Sequence, residues 1–164
     1  LMYKKKFSKE KFKVFHPGGN IGQTLLLAKD IMVKGKKLPV IDIKKDLGSA
    51  LKEINLKKLG VVVVTKKNHI AGLITDGNLR REMKNYSNDT NLEKFMTKNP
   101  FTVSENLPAS KALAIMNKNK ITSLLVISEK NTKKKNKSKL IGIIHIHFLL
   151  NYGLQWRQER EKLL

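Results

Sequence analysis

The 164 residues contain no cysteine, so neither a disulfide frame nor a thiolate metal site is open to them. Histidine is scarce, four residues in all, and the spacing provides no third ligand beside any pair, so no metal and no other cofactor is expected. Long apolar runs are missing too: nothing approaches the roughly 20 residues of a spanning helix. The opening Leu1-Met2-Tyr3-Lys4-Lys5-Lys6 has no apolar stretch behind its charges to make a secretory leader. A cytoplasmic protein without a membrane partner is expected. Arginine is rare in a very basic chain: of 34 basic residues against 13 acidic ones, net charge +21, only Arg80, Arg81, Arg157 and Arg160 are arginine. Nucleic-acid recognition favours the guanidinium fork. Much of the lysine lies in two runs, residues 4–13 and 128–139, and the second reads as a long solvated loop between strands. The charge is therefore assigned to the surface and not to a nucleic-acid partner.

What the chain does contain is a repeat, displaced by about 62 residues. Leu47, Ala50, Leu51 and Ile54 stand at i, i+3, i+4, i+7, and Ala109, Ala112, Leu113 and Met116 repeat the spacing. Each set makes one apolar helix face. A strand follows each helix, Val61-Val62-Val63-Val64 and then Ser123-Leu124-Leu125-Val126-Ile127. A second strand comes next, Ile70-Ala71-Gly72-Leu73-Ile74 and Leu140-Ile141-Gly142-Ile143-Ile144, and each copy then enters a helix at Asn78-Leu79-Arg80-Arg81 or Phe148-Leu149-Leu150. Helix, strand, strand, helix, twice over, predicts an α+β fold of two pseudo-symmetric modules. Each alone is near the size where a core becomes marginal, so the copies should pack on each other.

Asp30-Ile31-Met32 and Lys94-Phe95-Met96-Thr97-Lys98-Asn99-Pro100 resemble the openings of CBS modules, named after cystathionine beta-synthase, and the Gly72 to Arg81 and Gly142 to Leu150 segments resemble their ends. The resemblance implies a tandem pair forming a disc with a ligand cleft on each side. The wording of Ile74-Thr75-Asp76-Gly77-Asn78-Leu79-Arg80-Arg81 and of His145-Ile146-His147-Phe148-Leu149-Leu150 is similar to the C-terminal half of the D-arabinose-5-phosphate isomerase family. So is Phe15-His16-Pro17-Gly18-Gly19-Asn20-Ile21-Gly22, like the segment that joins that family's sugar isomerase domain to its CBS pair. The resemblance places His16 in the isomerase active site; taken by itself, His16 could equally cap a turn.

The family's reaction, interconversion of D-ribulose 5-phosphate and D-arabinose 5-phosphate, needs an acid/base set and a phosphate site. This chain holds no Ser/Thr/Gly-rich phosphate loop. The resemblance then implies that residues 1–27 are the end of a sugar isomerase domain and its linker, with His16 catalytic only alongside the missing body. Residues 28–88 are the first CBS module, 89–153 the second, and 154–164 a helical or disordered tail. The expected function is regulatory, and the chain alone is expected to be inactive. The alternative is a free-standing CBS pair that contacts another protein or nucleic acid.

Adenosine-binding CBS modules end in strand-Thr/Ser-x-x-Asp, hydroxyl to phosphate and carboxylate to ribose. Thr75 matches the hydroxyl, Asn78 replaces the carboxylate, and Asp76 sits two positions too early. In the second copy His145 and Phe148 occupy these places. His145 and His147 alternate along the strand end and suit a contact to an anionic ligand; Arg80 could fork onto a carboxylate or phosphate, while Arg81 suits a solvated face equally well. The candidate ligand-binding residues are thus Thr75, Asp76, Asn78, Arg80, Thr122, His145 and His147. Family logic makes the candidate effector a nucleotide or sugar nucleotide such as CMP-Kdo, with the chain's own isomerase domain and further copies of itself as partners.

Overall fold

The computed structural model describes residues 26–82, 91–129, 139–152 and 154. His16 with its glycine-rich segment, the core of the lysine run at 130–138 and the tail from 155 lie outside the described residues.

The expected repeat is present, with additional short elements at its edges. The first half contains α1 (Ala28–Ile31), β1 (Val40–Asp42), α2 (Leu47–Lys57), β2 (Val61–Lys66), β3 (His69–Thr75) and α3 (Asp76–Glu82). The second contains α4 (Leu92–Phe95), β4 (Thr97–Lys98), β5 (Thr102–Ser104), α5 (Ala109–Asn119), β6 (Ser123–Ile127), β7 (Leu140–His145) and α6 (Ile146–Asn151). In each half the first long strand is parallel to the short one before it and antiparallel to the one after it. That makes a β-α-β crossover followed by a hairpin, an α+β arrangement.

The two long helices start differently and end alike. Asp46 caps α2, its carboxylate accepting from the Ser49 N–H at 2.7 Å, whereas Pro108 precedes α5 and has no side-chain acceptor to give. Both stop at a lysine in the left-handed region, Lys58 at φ 55° and Lys120 at φ 54°. The apolar stripe of each faces its own sheet: Leu47, Ala50 and Ile54 are buried from α2, and Ala109, Ala112, Leu113 and Met116 from α5.

The strands read as continuous apolar runs because both of their faces are covered. Val62, Val64 and Ile74 turn into the first core, and Leu124, Val126 and Ile144 into the second. The alternate positions Val61, Val63, Leu73, Leu125 and Ile143 form a third cluster, which joins the two halves along a seam. Each large side chain buried in this way contributes about 1.5–3 kcal/mol over leaving it in water.

The short helices exchange between halves. Ala28 and Ile31 of α1 pack into the second core, while Leu92 and Phe95 of α4 pack into the first. β4 adds to the edge of β3, pairing Leu73 with Thr97, and Val33 pairs in the same manner with Ile143 of β7. Met96 and Met32 then lie across Gly72 and Gly142. A Cβ at either glycine would meet the methionine Cγ at 2.8 Å, so a glycine is required where the partner's methionine crosses.

Candidate functional site

The exchange brings the seven candidate residues into two groups at corresponding strand-to-helix junctions, one per half. Register supplies the correspondence: Val61 faces Thr75 across the first hairpin and Ser123 faces His145 across the second. The helix entries match too, since Asp76 N–H donates to Gly60 O at 3.0 Å and Ile146 N–H to Thr122 O at 2.8 Å. Asn78 and Phe148 are therefore structural counterparts, as the spacing implied.

At the first junction Thr75 and Asn78 bond each other. Asn78 Oδ1 accepts from the Thr75 N–H at 3.0 Å and from the Thr75 hydroxyl at 2.6 Å, while Thr75 Oγ1 accepts from the Asn78 N–H at 3.1 Å. Asn78 Nδ2 donates onward to Thr97 Oγ1 at 3.2 Å, tying β4 to the junction. The carboxamide closes the turn that starts α3. Asp76 and Arg80 are exposed beside it, and the Asp76 carboxylate lies over Gly60, whose φ is +65°.

At the second junction no such ring forms. Phe148 has nothing with which to cap, and His145 takes over: its Nδ1 accepts from the His147 N–H at 3.3 Å at the start of α6. The two imidazoles lie 4.8 Å apart and tilted by 34°. Burial holds the His145 ring below its usual pKa, and the neighbouring His147 acts in the same direction. Since Nδ1 accepts, the neutral ring carries its proton on Nε2 and presents a donor. Thr122, its carbonyl engaged with Ile146, is exposed at the edge.

Ser123 is the member that the sequence reading missed. It is only 6% exposed, and its hydroxyl has no hydrogen-bond partner among the described residues. A buried hydroxyl left unpaired costs about 1–3 kcal/mol. The available signal was the alternation along β6: Ser123 is a polar residue on the face that carries Leu125 into the seam, where the first half has Val61.

The opposite ends of the strands also differ. At the end of the first sheet Asp42, Lys44, Lys45, Asp46, Lys66 and Lys67, with Asn91 and Glu93 from the second repeat, line an open cleft of about 680 Å³. At the corresponding place in the second half, surface side chains bond one another: Glu129 accepts from the Ser104 hydroxyl and from Asn106 Nδ2 at 2.9 Å, and Lys29 Nζ donates to Asn106 Oδ1 at 3.1 Å. Those two donors, Ser104 first, hold the Glu129 carboxyl below its usual range. Among the described residues no group of three or more His, Asp or Glu could hold a metal ion, and no helix is long and apolar enough to cross a membrane.

A family model described as "CBS domain" matches residues 28–85 and 92–150. An uncharacterised protein of Rickettsia prowazekii, RP505, is 35% identical over 149 residues, covering 90% of this chain and 44% of that protein. The arabinose 5-phosphate isomerase KdsD of Francisella tularensis is 34% identical over 158 residues, 94% of this chain and 46% of that protein. The chain thus spans less than half the length of these relatives. Among solved structures, the CBS domain pair of protein MJ0100 in complex with 5-methylthioadenosine and S-adenosyl-L-methionine superposes with a TM-score of 0.64 at 19% identity, over 76% of this chain and 93% of that one.

Proposed function

We propose, because this chain belongs to the CBS domain family as a tandem pair, that it is the regulatory portion of an arabinose 5-phosphate isomerase and senses a nucleotide-type effector. The observation that carries the reading is the likeness to KdsD across nearly the whole chain. The adenosyl ligands named for the MJ0100 pair support a nucleoside-bearing ligand as the chemical class. On this reading His16 serves the active site of an isomerase domain, and the two junctions are the effector clefts. Neither half carries the ribose-binding carboxylate, since Asn78 and Phe148 stand there. The pair therefore prefers an effector with an acidic group besides its phosphate, and CMP-Kdo fits that description. The protein works in the cytoplasm and self-associates, burying apolar surface that a two-module fold leaves outside.

Thermal denaturation of the chain with CMP-Kdo and with AMP tests the reading. CMP-Kdo raises the melting temperature with concentration, as any ligand of the native state must, and AMP does so less. The chain alone turns over no ribulose 5-phosphate beyond a His16→Ala control. Tight AMP binding without any response to CMP-Kdo overturns the effector, and turnover well above the control overturns the regulatory assignment.

A further inference from the structure

The two junctions offer a ligand unequal chemistry. We propose that the pair takes one ligand and not two, in the second cleft alone, with an anionic oxygen of that ligand held by the Ser123 hydroxyl and the His145 imidazole. This rests on the effector reading above and narrows it to one site and two donors.

The first junction offers less. Asn78 Oδ1 and the Thr75 hydroxyl are taken up by the ring that caps α3, and one Asn78 amide hydrogen goes to Thr97. What remains for a ligand oxygen is the second Asn78 amide hydrogen and the exposed Arg80, neither of them buried. Across the hairpin Val61 adds only hydrocarbon, at 2% exposure.

The second junction is the reverse. Ser123 stands directly opposite His145 in the antiparallel pair, so the two side chains share one face of the sheet. That is the face whose next residues, Leu125 and Ile143, run into the seam between the halves. Ser123 is only 6% exposed, and its hydroxyl is buried and unpartnered. His145 has its Nδ1 engaged with the His147 N–H, which leaves Nε2–H as a donor, and the exposed His147 ring lies alongside. The Ser123 hydroxyl can donate or accept, whereas His145 Nε2–H only donates, so an oxygen that accepts from both, in a phosphate or a carboxylate, satisfies the pair together. Phe148, where a ribose-binding carboxylate would have stood, adds no charge to repel it.

Isothermal titration of the chain with CMP-Kdo, with CMP and free Kdo as the phosphate-only and carboxylate-only arms and AMP as the adenosine arm, tests the assignment. One equivalent per chain is expected for whichever nucleotide binds. Ser123→Ala should weaken that nucleotide about ten-fold or more while leaving the ligand-free melting temperature unchanged or slightly raised, because the variant deletes an unpaired buried hydroxyl. Ser123→Thr, which keeps the hydroxyl, should retain more affinity than Ser123→Ala, and Asn78→Ala, which probes the first junction, should cost less affinity than Ser123→Ala. The stronger of the CMP and Kdo arms identifies which anionic group Ser123 holds. Two equivalents per chain, or affinity that falls with Asn78→Ala but not with Ser123→Ala, overturns the single-cleft proposal and leaves the effector reading standing. Absence of binding by every nucleotide overturns both.

Discussion

In the first half Asn78 answers the Thr75 N–H and hydroxyl at the end of β3, while the far end of the same sheet opens into a cleft lined by four lysines and by Asp42, Asp46 and Glu93. In the second half Ser123 is left unpaired beside His145, while at the far end the surface residues Ser104, Asn106, Glu129 and Lys29 are linked by hydrogen bonds. The scaffold between these ends is the same in both: equal register, matching left-handed helix stops, and a methionine crossing a glycine. A duplicated module needs its packing positions in both copies, because each copy's core is completed by the other's short helix. The polar ends carry no such obligation, and a few side chains suffice to make the two halves differ there.

The equivalence of the scaffolds can be broken most severely at the exchanged helices. Leu92 is fully buried in the core of the first half although it lies in the second repeat. Leu92→Ala should cost about 2–5 kcal/mol, read as a lower urea midpoint. The seam ties the halves together, so loss should appear as one transition in both; two separated transitions would show that the halves fold independently.

The glycine crossings should be next in size. An added methyl at Gly72 meets Met96 Cγ at 2.8 Å and the Thr97 backbone oxygen at 2.9 Å, whereas at Gly142 its nearest neighbours are all atoms of Met32. A side chain can turn away and a backbone carbonyl in a paired strand cannot. Gly72→Ala should therefore cost about 1–3 kcal/mol, and Gly142→Ala less. Equal melting temperatures for the two variants would contradict this ordering.

A smaller effect belongs to the junctions. Asn78→Ala removes the acceptor for the Thr75 N–H and should cost about 0.5–2 kcal/mol, the range for losing a helix cap. Phe148→Asn tests whether the second half can be given one bond of that ring, from the His145 N–H to the new side-chain oxygen. If backbone and register are equivalent, hydrogen exchange at the N terminus of α6 should slow; exchange unchanged from the parent would mean that the His145 cap excludes it.

The smallest difference is in pH response. His145 is held below its ordinary value of 6.5 in the folded state, so the unfolded chain binds that proton more tightly. Its contribution to stability is complete above about pH 6.5 and is lost as the pH falls from there through the folded value. The first half, with Thr75 in this place, has no such group. Replacing His145 by Gln should flatten that part of the stability profile, measured as urea midpoints between about pH 7.5 and 5.5; an unaltered slope would remove His145 as its source.

How far the fold was legible follows from where each residue's information lies. Leu47, Ala50 and Ile54, repeated as Ala109, Ala112 and Met116, announce their helices, and the apolar runs from Val61 and Leu124 announce doubly covered strands. These are local periodicities set by backbone geometry, and so the α+β repeat and its CBS resemblance stood in the amino-acid order itself. So did the equivalence of Thr75 with His145 and of Asn78 with Phe148, because both pairs follow the same strand and glycine. The short edge strands and the exchange of α1 and α4 between cores were not legible, because two to four residues hold no period and the partners are not sequence neighbours, Thr97 pairing with Leu73 and Val33 with Ile143. Nor could the order of residues say that Asn78 is already engaged while the Ser123 hydroxyl, unremarkable in an apolar strand, has no partner. Hydrogen-bond satisfaction depends on what surrounds a group in three dimensions, and only the packing of the two halves along their seam decides which polar atoms are sealed off from water without one.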